Sequence, residues 1–322
     1  MSKFTGSRID LGIGKETVRG TAVAPGYWLR PSEVSIDERV AHAVDESSRN
    51  LIENSIDAQV VEKFAEGSFT LPVRDKSIGL LMLSLFGSVA DTTVETGVYD
   101  HAFSVLQSNQ HQSLSVHLKE PNAGKDYALT MLTDLEFAVE LDKHAMAKFG
   151  FRSKTGASQS RTATYVAENI FLPTMGDIRL ASSISGLNAA TPIKVRKVTV
   201  KIGKNVDDDR ALGSVDPIDI LNRQFQAEGE LEVVYDDQSQ VTNLLGNTVQ
   251  ALRIDFLNSA VTIGVSSSPR IRFEFAKVIL EEVPRKFNKG DIVTQTLKFK
   301  AYYSETDSSM LTSTVRNTVA SY

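Results

Sequence analysis

The stretch Ala65-Glu66-Gly67-Ser68-Phe69-Thr70-Leu71-Pro72-Val73 returns in altered form 162 residues later, as Ala227-Glu228-Gly229-Glu230-Leu231-Glu232-Val233-Val234-Tyr235. After the glycine, apolar residues alternate in both copies: Phe69, Leu71 and Val73, then Leu231, Val233 and Tyr235. Both copies run on to Asp-x-Ser, as Asp75-Lys76-Ser77 and Asp237-Gln238-Ser239. A period of two marks a strand with one buried face, and Asp or Ser is the residue type that starts a helix. Writing one strand-to-helix junction twice, half a chain length apart, constrains the fold to two similar units.

The surroundings of the two copies agree. Residues 31–40 alternate through Val34, Ile36 and, with a slip, Val40. A polar stretch over 41–64 precedes the first copy. Ile78, Leu81, Met82 and Leu85 then follow at helical spacing, and Gly87 stands where a helix stops. In the second half, Val195, Val198, Val200 and Ile202 open a strand, and residues 204–225 form the matching polar stretch. A short helix over 237–247, ended by Gly246, follows the second copy. Short alternating runs divided by Asn, Gly and Pro complete each half.

The pattern predicts a mainly β protein of two tandem sandwich or barrel units, each with a short flanking helix. A Gly- and Thr-rich arm is expected over 1–28, the first unit over 29–155 and the second over 193–304. A Ser/Thr/Gly/Ala-rich linker joins them over 156–192, and a polar, mobile tail closes the chain over 305–322. A length of 322 residues suits two domains.

No stretch approaches the ~18 apolar residues of a membrane span, so no membrane partner is expected. The opening residues lack the apolar core of a secretory signal. With no cysteine, disulfides, thiol nucleophiles and cysteine-ligated zinc are excluded. A net charge of −5 argues against gripping nucleic acid by its phosphates.

Four fragments suggest chemistry, and each has a plainer reading. Gly12-Ile13-Gly14-Lys15-Glu16-Thr17 has Ile9 where a phosphate loop needs glycine, and Glu16 where it needs Ser or Thr. The consecutive acids of Asp207-Asp208-Asp209-Arg210 point in different directions, unlike a calcium loop. His42, His101, His111, His117 and His144 lack ligand spacing, although His111 and His117 would share a face if one strand ran through both. No Gly-x-Ser-x-Gly elbow occurs. The chain is expected to be no enzyme and to need no cofactor or metal. Strands with open edges pair with neighbours, so an associating protein and a monomeric two-domain β protein with solvated loops stand as equal readings at this point.

Residues 11–37 hold Gly12-x-Gly14-Lys15-Glu16-Thr17, the step Arg19-Gly20-Thr21-Ala22, and Trp28 leading into a strand. This opening resembles the tail tube (major tail) proteins of long-tailed, non-contractile bacteriophages. The polar stretch 41–64, the strand from Gly67 to Val73, the helix Ser77 to Phe86 and the closing runs 132–154 and 276–304 extend the likeness over about residues 11–304. The resemblance implies a virion protein, assembled in the host cytoplasm, whose rings stack into a tail tube. Double-stranded DNA would cross an acidic lumen without specific binding. Tape-measure, tail terminator and tail-tip proteins would be its partners. The duplication then implies three chains per ring with pseudo-sixfold symmetry, or six if the second half lies outside.

On this reading the polar stretches are loops that reach the next ring and order on stacking, through Asp45, Arg49, Glu53, Asp57, Asp207, Asp208, Arg210 and Asp216. The arm contributes Lys15, Glu16, Arg19 and Trp28 to the same contacts, and the tail joins them. Two alternatives stand beside it. One is a tube component of a related secretion or injection system. The other is a β-rich carbohydrate-binding module or hydrolase, which the single Trp disfavours.

Overall fold

The computed structural model describes residues 3–322; the first two residues of the expected arm lie outside that range. The fold is mainly β, as expected, and its strands pair in antiparallel fashion. The first half contributes β1 (Asp10–Lys15), β2 (Tyr27–Leu29), β3 (Glu33–Asp45), β4 (Asp57–Pro72), β5 (Gly87–Glu95), β6 (Val98–Val105), β7 (Leu114–Lys119), β8 (Gly124–Glu140), β9 (Met146–Ser153) and β10 (Ala157–Ser158). The second contributes β11 (Gly176–Ala181), β12 (Val195–Asp209), β13 (Asp219–Val234), β14 (Gln250–Leu257), β15 (Arg270–Glu282), β16 (Arg285–Lys286), β17 (Thr294–Tyr302) and β18 (Leu311–Asn317). Helices α1 (Ser77–Phe86) and α2 (Ser239–Leu245) follow the two Ala-Glu-Gly strands.

One pairing pattern occurs twice. In the first half β1 pairs with β7 and β7 with β8. The far half of β8 then pairs with β9, β9 with β4, and β4 with β3. In the second half the same sequence of partners is β11, β14, β15, β17, β13 and β12. The hairpins also match in register. Val34 faces Phe69 as Val198 faces Leu231, and Asp45 faces Asp57 as Asp209 faces Asp219. A bulge interrupts each hairpin, after Ala41 and after Lys204.

The repeated glycine has one job in both copies. Gly67 lies opposite Phe151 and Gly229 opposite Phe299. A Cβ on Gly67 would overlap the carbonyl oxygen of Ser35 and crowd the Phe151 ring; on Gly229 it would meet the Thr199 carbonyl and the Phe299 ring. Each aromatic ring lies over a bare backbone, which only glycine supplies. Gly67→Ala and Gly229→Ala are each expected to cost about 2–3 kcal/mol by overpacking, read as a lower urea midpoint. Ser68→Ala, on the open face beside Gly67, is expected to leave the midpoint nearly unchanged.

The two halves are fused rather than beaded. β8 pairs with β12 from Asp134↔Gly203 to Glu140↔Lys197. This seam joins the two four-stranded sets into one sheet of order β3-β4-β9-β8-β12-β13-β17-β15. Beneath it one core runs through both halves, with Phe137 packed against Phe256 and Phe273, and Phe86 against Phe225. The length suggested two domains; the shared sheet and shared core explain why the halves are not separate bodies.

Several expected boundaries move. The 1–28 arm is not irregular: β1 and β2 are strands, and Gly12 and Gly14 let Pro25, Trp28 and Ala24 approach closely. The 305–322 tail is not loose: β18 lies between β15 and β6, and Tyr322 packs on Gly79 of α1. The linker is pinned to the first half through Arg161–Asp126, Tyr165–Asp10 and Asn169–Asp75. It then enters the second half as β11. No side chain of the Asp75 or Ser77 type caps α1; the linker's Glu168 instead accepts the Ser77 N–H at 2.6 Å. Gly87 does end that helix, in the left-handed region at φ 86°. All ten residues of α1 are buried, whereas none of α2 is.

The polar stretches 41–64 and 204–225 are corrected most. They are the outer arms of two long hairpins, and only 46–56 and 210–218 are turns. The first pair of arms projects beyond the core and faces solvent along most of its length, whereas the second turns Val206, Asp208 and Ile220 onto the first half. A strand wetted on both faces has no alternation to read.

Candidate assembly surface

The eight-stranded sheet turns one face to the core and the other outward, and the outward face is built from charged columns. Glu66 stands on β4, Lys148 and Arg152 on β9, and Asp134, Glu136 and Glu140 on β8. Lys197 and Lys201 stand on β12, Glu228, Glu230 and Glu232 on β13, and Lys298 and Lys300 on β17. From β4 to β17 neighbouring columns therefore alternate in sign. The register puts opposite charges face to face: Glu66↔Arg152, Glu136↔Lys148, Lys201↔Glu136, Lys197↔Glu140, Lys201↔Glu228, Glu230↔Lys298 and Glu228↔Lys300. Directly opposed unlike charges each favour the pairing by up to about 1 kcal/mol. Lys143 and then Lys197 hold the Glu140 carboxyl below its ordinary value. Glu282 raises Lys298 in the same way.

The residues expected in inter-ring loops fall into two groups. The turn end of the second hairpin docks on the first half: Arg152 donates to Asp208 at 2.6 and 2.7 Å, with its guanidinium over the Phe64 ring. Arg210 pairs with Glu62, the Lys63 N–H donates to the Val215 carbonyl, and Thr155 reaches Asp216. Asp208, Arg210 and Asp216 thus bind their own chain and hold the end of the second hairpin against the first half. Asp208 raises the Arg152 pKa further. Asp45 and Asp57 accept from the nearby Ser47 and Ala58 N–H groups, and Asp207 meets Arg223 at the surface. Arg49 and Glu53 lie in the exposed first tip beside Leu51 and Ile52, and Leu212 protrudes from the second tip.

The arm residues are also committed internally. Glu16 is buried and accepts four hydrogen bonds, from Ser113 Oγ, Ser115 Oγ and the N–H groups of Gly20 and Leu129. Arg19 forks onto Asp219 and donates to the carbonyls of His111 and Ile220, tying the arm to the turn end of the second hairpin. Trp28 packs edge-on against His117, and Lys15 donates to the Tyr322 carbonyl oxygen. His111 and His117 do not share one strand: His111 bonds the Leu85 and Leu106 carbonyls, and His117 bonds Asp126.

Two ties between the halves had no counterpart in the sequence reading. Glu95 of β5 accepts from the N–H groups of Val265, Ser266 and Ser267, chiefly Ser266, which lowers its carboxyl to about 2. Lys204 is fully buried and donates at 2.8 Å to the Ser84 carbonyl in the last turn of α1. Burial, then the charge of Arg19, pushes this lysine down to about 7. A basic group whose folded pKa lies below its unfolded value of 10.5 releases its proton on folding between those two pH values. Stability therefore rises with pH across that window, by about 1.4 kcal/mol per pH unit for one proton. Urea midpoints are expected to climb from pH 7.5 to 9.5, and Lys204→Met is expected to flatten that slope.

The charged side chains of this sheet pair with one another across the strands, around an open depression lined by Asp37, Glu66, Asp134, Lys148 and Arg152. A family model described as phage tail tube protein matches residues 6–309, and the chain belongs to that family. A comparison with curated proteins finds no match. The protein is thus a structural component of the virion tail, in a family of self-assembling tail proteins. No helix among the described residues is long and apolar enough to cross a membrane.

Proposed function

We propose that three copies of this chain close a ring in which each supplies two adjacent wall segments, and that stacked rings form the channel for DNA ejection. The observation that carries this reading is the β8·β12 seam. It joins the two repeats of one chain edge to edge in a continuous sheet, as two neighbouring subunits of a ring would be joined. Eight strands per chain make twenty-four per ring. With strands about 4.8 Å apart and tilted about 40°, such a barrel is roughly 45–50 Å across its backbone. Six chains would double that diameter.

The charged outward face then lines the lumen. It is a checkerboard with a modest excess of acids, rather than the uniformly acidic lining the family resemblance implied. Each Lys and Arg in its columns faces a carboxylate, which leaves phosphates no unpaired row of cations to follow. The hairpin tips, with Arg49, Glu53, Leu51, Ile52 and Leu212, reach toward the next ring. Tape-measure, terminator and tail-tip proteins meet the ends of the tube. Negative-stain electron microscopy of concentrated protein is expected to show annuli or stacked tubes with a central hole. Compact monomers at every concentration would refute the ring.

A further inference from the structure

The intrachain seam can be laid over the two sheet edges that the chain leaves open. Among the described residues β3 pairs only with β4. It is the counterpart of β12, which is paired on both sides. At the other end of the sheet, the β15–β17 hairpin repeats the β8–β9 hairpin. Leu280 faces Phe299 where Leu132 faces Phe151, and Lys286 faces Thr294 where Ala138 faces Met146. Residues 282–288 are therefore the counterpart of 134–140, the segment of β8 that carries the seam. Their exposure records what is missing. Val139 is 4% exposed under the seam, whereas its counterpart Phe287 is 66% exposed. Val198 is buried, and its counterpart Val34 is only half-buried.

We infer that residues 33–39 of one chain pair antiparallel with residues 282–288 of the next, in the register of the internal seam, and that charge keeps the two seams distinct. The reading rests on the ring proposed above. Copying Thr199↔Ala138 and Val198↔Val139 sets Ser35 opposite Lys286 and Val34 opposite Phe287. Gly203↔Asp134 becomes Arg39 opposite Glu282, an unlike pair. The two seams have opposite polarity. Inside the chain, basic Lys197 and Lys201 of β12 meet acidic Glu140 and Glu136 of β8. At the open edges the strand equivalent to β12 is acidic, with Glu33 and Asp37, and the hairpin equivalent to β8 is basic at Lys286. The copied register places Glu33 and Asp37 diagonally either side of Lys286, within reach of its side chain.

This reversal gives the contact its specificity. An acidic β3 placed against the acidic β8 of another chain, in exchange for β12, would set like charges face to face, which disfavours that exchange. β3 is instead drawn to the basic hairpin. Internal and external seams must then alternate around the ring, and each chain enters it in one orientation.

The natural absence of cysteine makes the register directly testable. In the full-length chain, Ser35→Cys with Lys286→Cys places two thiols on opposed positions, whereas Ser35→Cys with Glu282→Cys separates them by about 13 Å along the strand, too far for a disulfide. Both pairs lie on the open face, and circular dichroism matching the parent certifies the fold. Mild oxidation of assembled protein is expected to convert most of the first variant to covalent dimers and trimers, reversibly with reductant, and to leave the second monomeric on a denaturing gel. Annuli that link through the second pair, or through neither, would overturn the register and leave the ring standing. Failure of the parent chain to form any oligomer would remove both.

Discussion

A chain carrying Arg285→Glu, Lys286→Glu and Lys289→Glu is expected to fold normally and to lose ring assembly at least tenfold at low ionic strength. These side chains are exposed at the end of the sheet, so their reversal should leave monomer stability within about 0.5 kcal/mol. At the proposed seam the reversed charge at position 286 would meet Glu33 and Asp37 of the next chain with like charge, and the reversals at 285 and 289 make the hairpin end acidic around it. One lost unlike contact replaced by repulsion, at about 1.4 kcal/mol, is already a factor of ten. Adding Glu33→Lys and Asp37→Lys to the same chain restores unlike charges at each seam and is expected to restore the ring. Mixing the two singly reversed chains separates the ring sizes. Each then pairs only with the other kind, an alternation that an even ring satisfies and a three-chain ring cannot. Size-exclusion chromatography of the mixture is expected to show open or larger species and no three-chain ring. Full recovery of a three-chain ring from the mixture would contradict the polarity argument.

Glu16→Ala is expected to destabilise the monomer by about 3–5 kcal/mol, read from urea denaturation. The glutamate is buried and satisfies two hydroxyls and two backbone N–H groups at distances of 2.7–2.9 Å. Removing it orphans several buried donors at once, each worth about 1–3 kcal/mol, although such costs do not add fully. Glu16→Gln keeps one acceptor oxygen and is expected to recover a substantial part of the loss. A change below about 1 kcal/mol for Glu16→Ala would mean that the arm contributes little to the fold. Glu16, expected at a contact between rings, is buried here and accepts from Ser113, Ser115, Gly20 and Leu129 of its own chain.

The repeat was legible because burial writes a period of two, and it was clearest where Phe69, Leu71, Leu231 and Val233 face the core. The helix over Ser77–Phe86 was legible for the same reason at a different period, and Gly87 ended it as expected. The hairpin arms were not legible: the first is wetted on both faces around Asp45 and Asp57, and the second buries a polar side chain, Asp208, on its inner face, so both carry the composition of a loop. The first strand, Asp10–Lys15, was hidden for the opposite reason. Leu11, Gly12, Ile13 and Gly14 are all buried, so neither alternation nor polarity marks it. The tail was misread because β18 is stabilised by partners far away in the chain, β6 and β15, which local pattern does not reveal. Of the candidate site, the polar composition of the tips was visible. The seam was not, since it requires knowing that 134–140 and 197–203 meet. Once that register is known, the open edges and their reversed charges follow from the repeat.

The most direct test of three chains supplying six wall segments is the mass of the assembled ring by native mass spectrometry. The account predicts a closed species of three times the 35.3 kDa chain, with multiples of that mass as rings stack. A ring of six chains, with no three-chain species at any dilution, would contradict it.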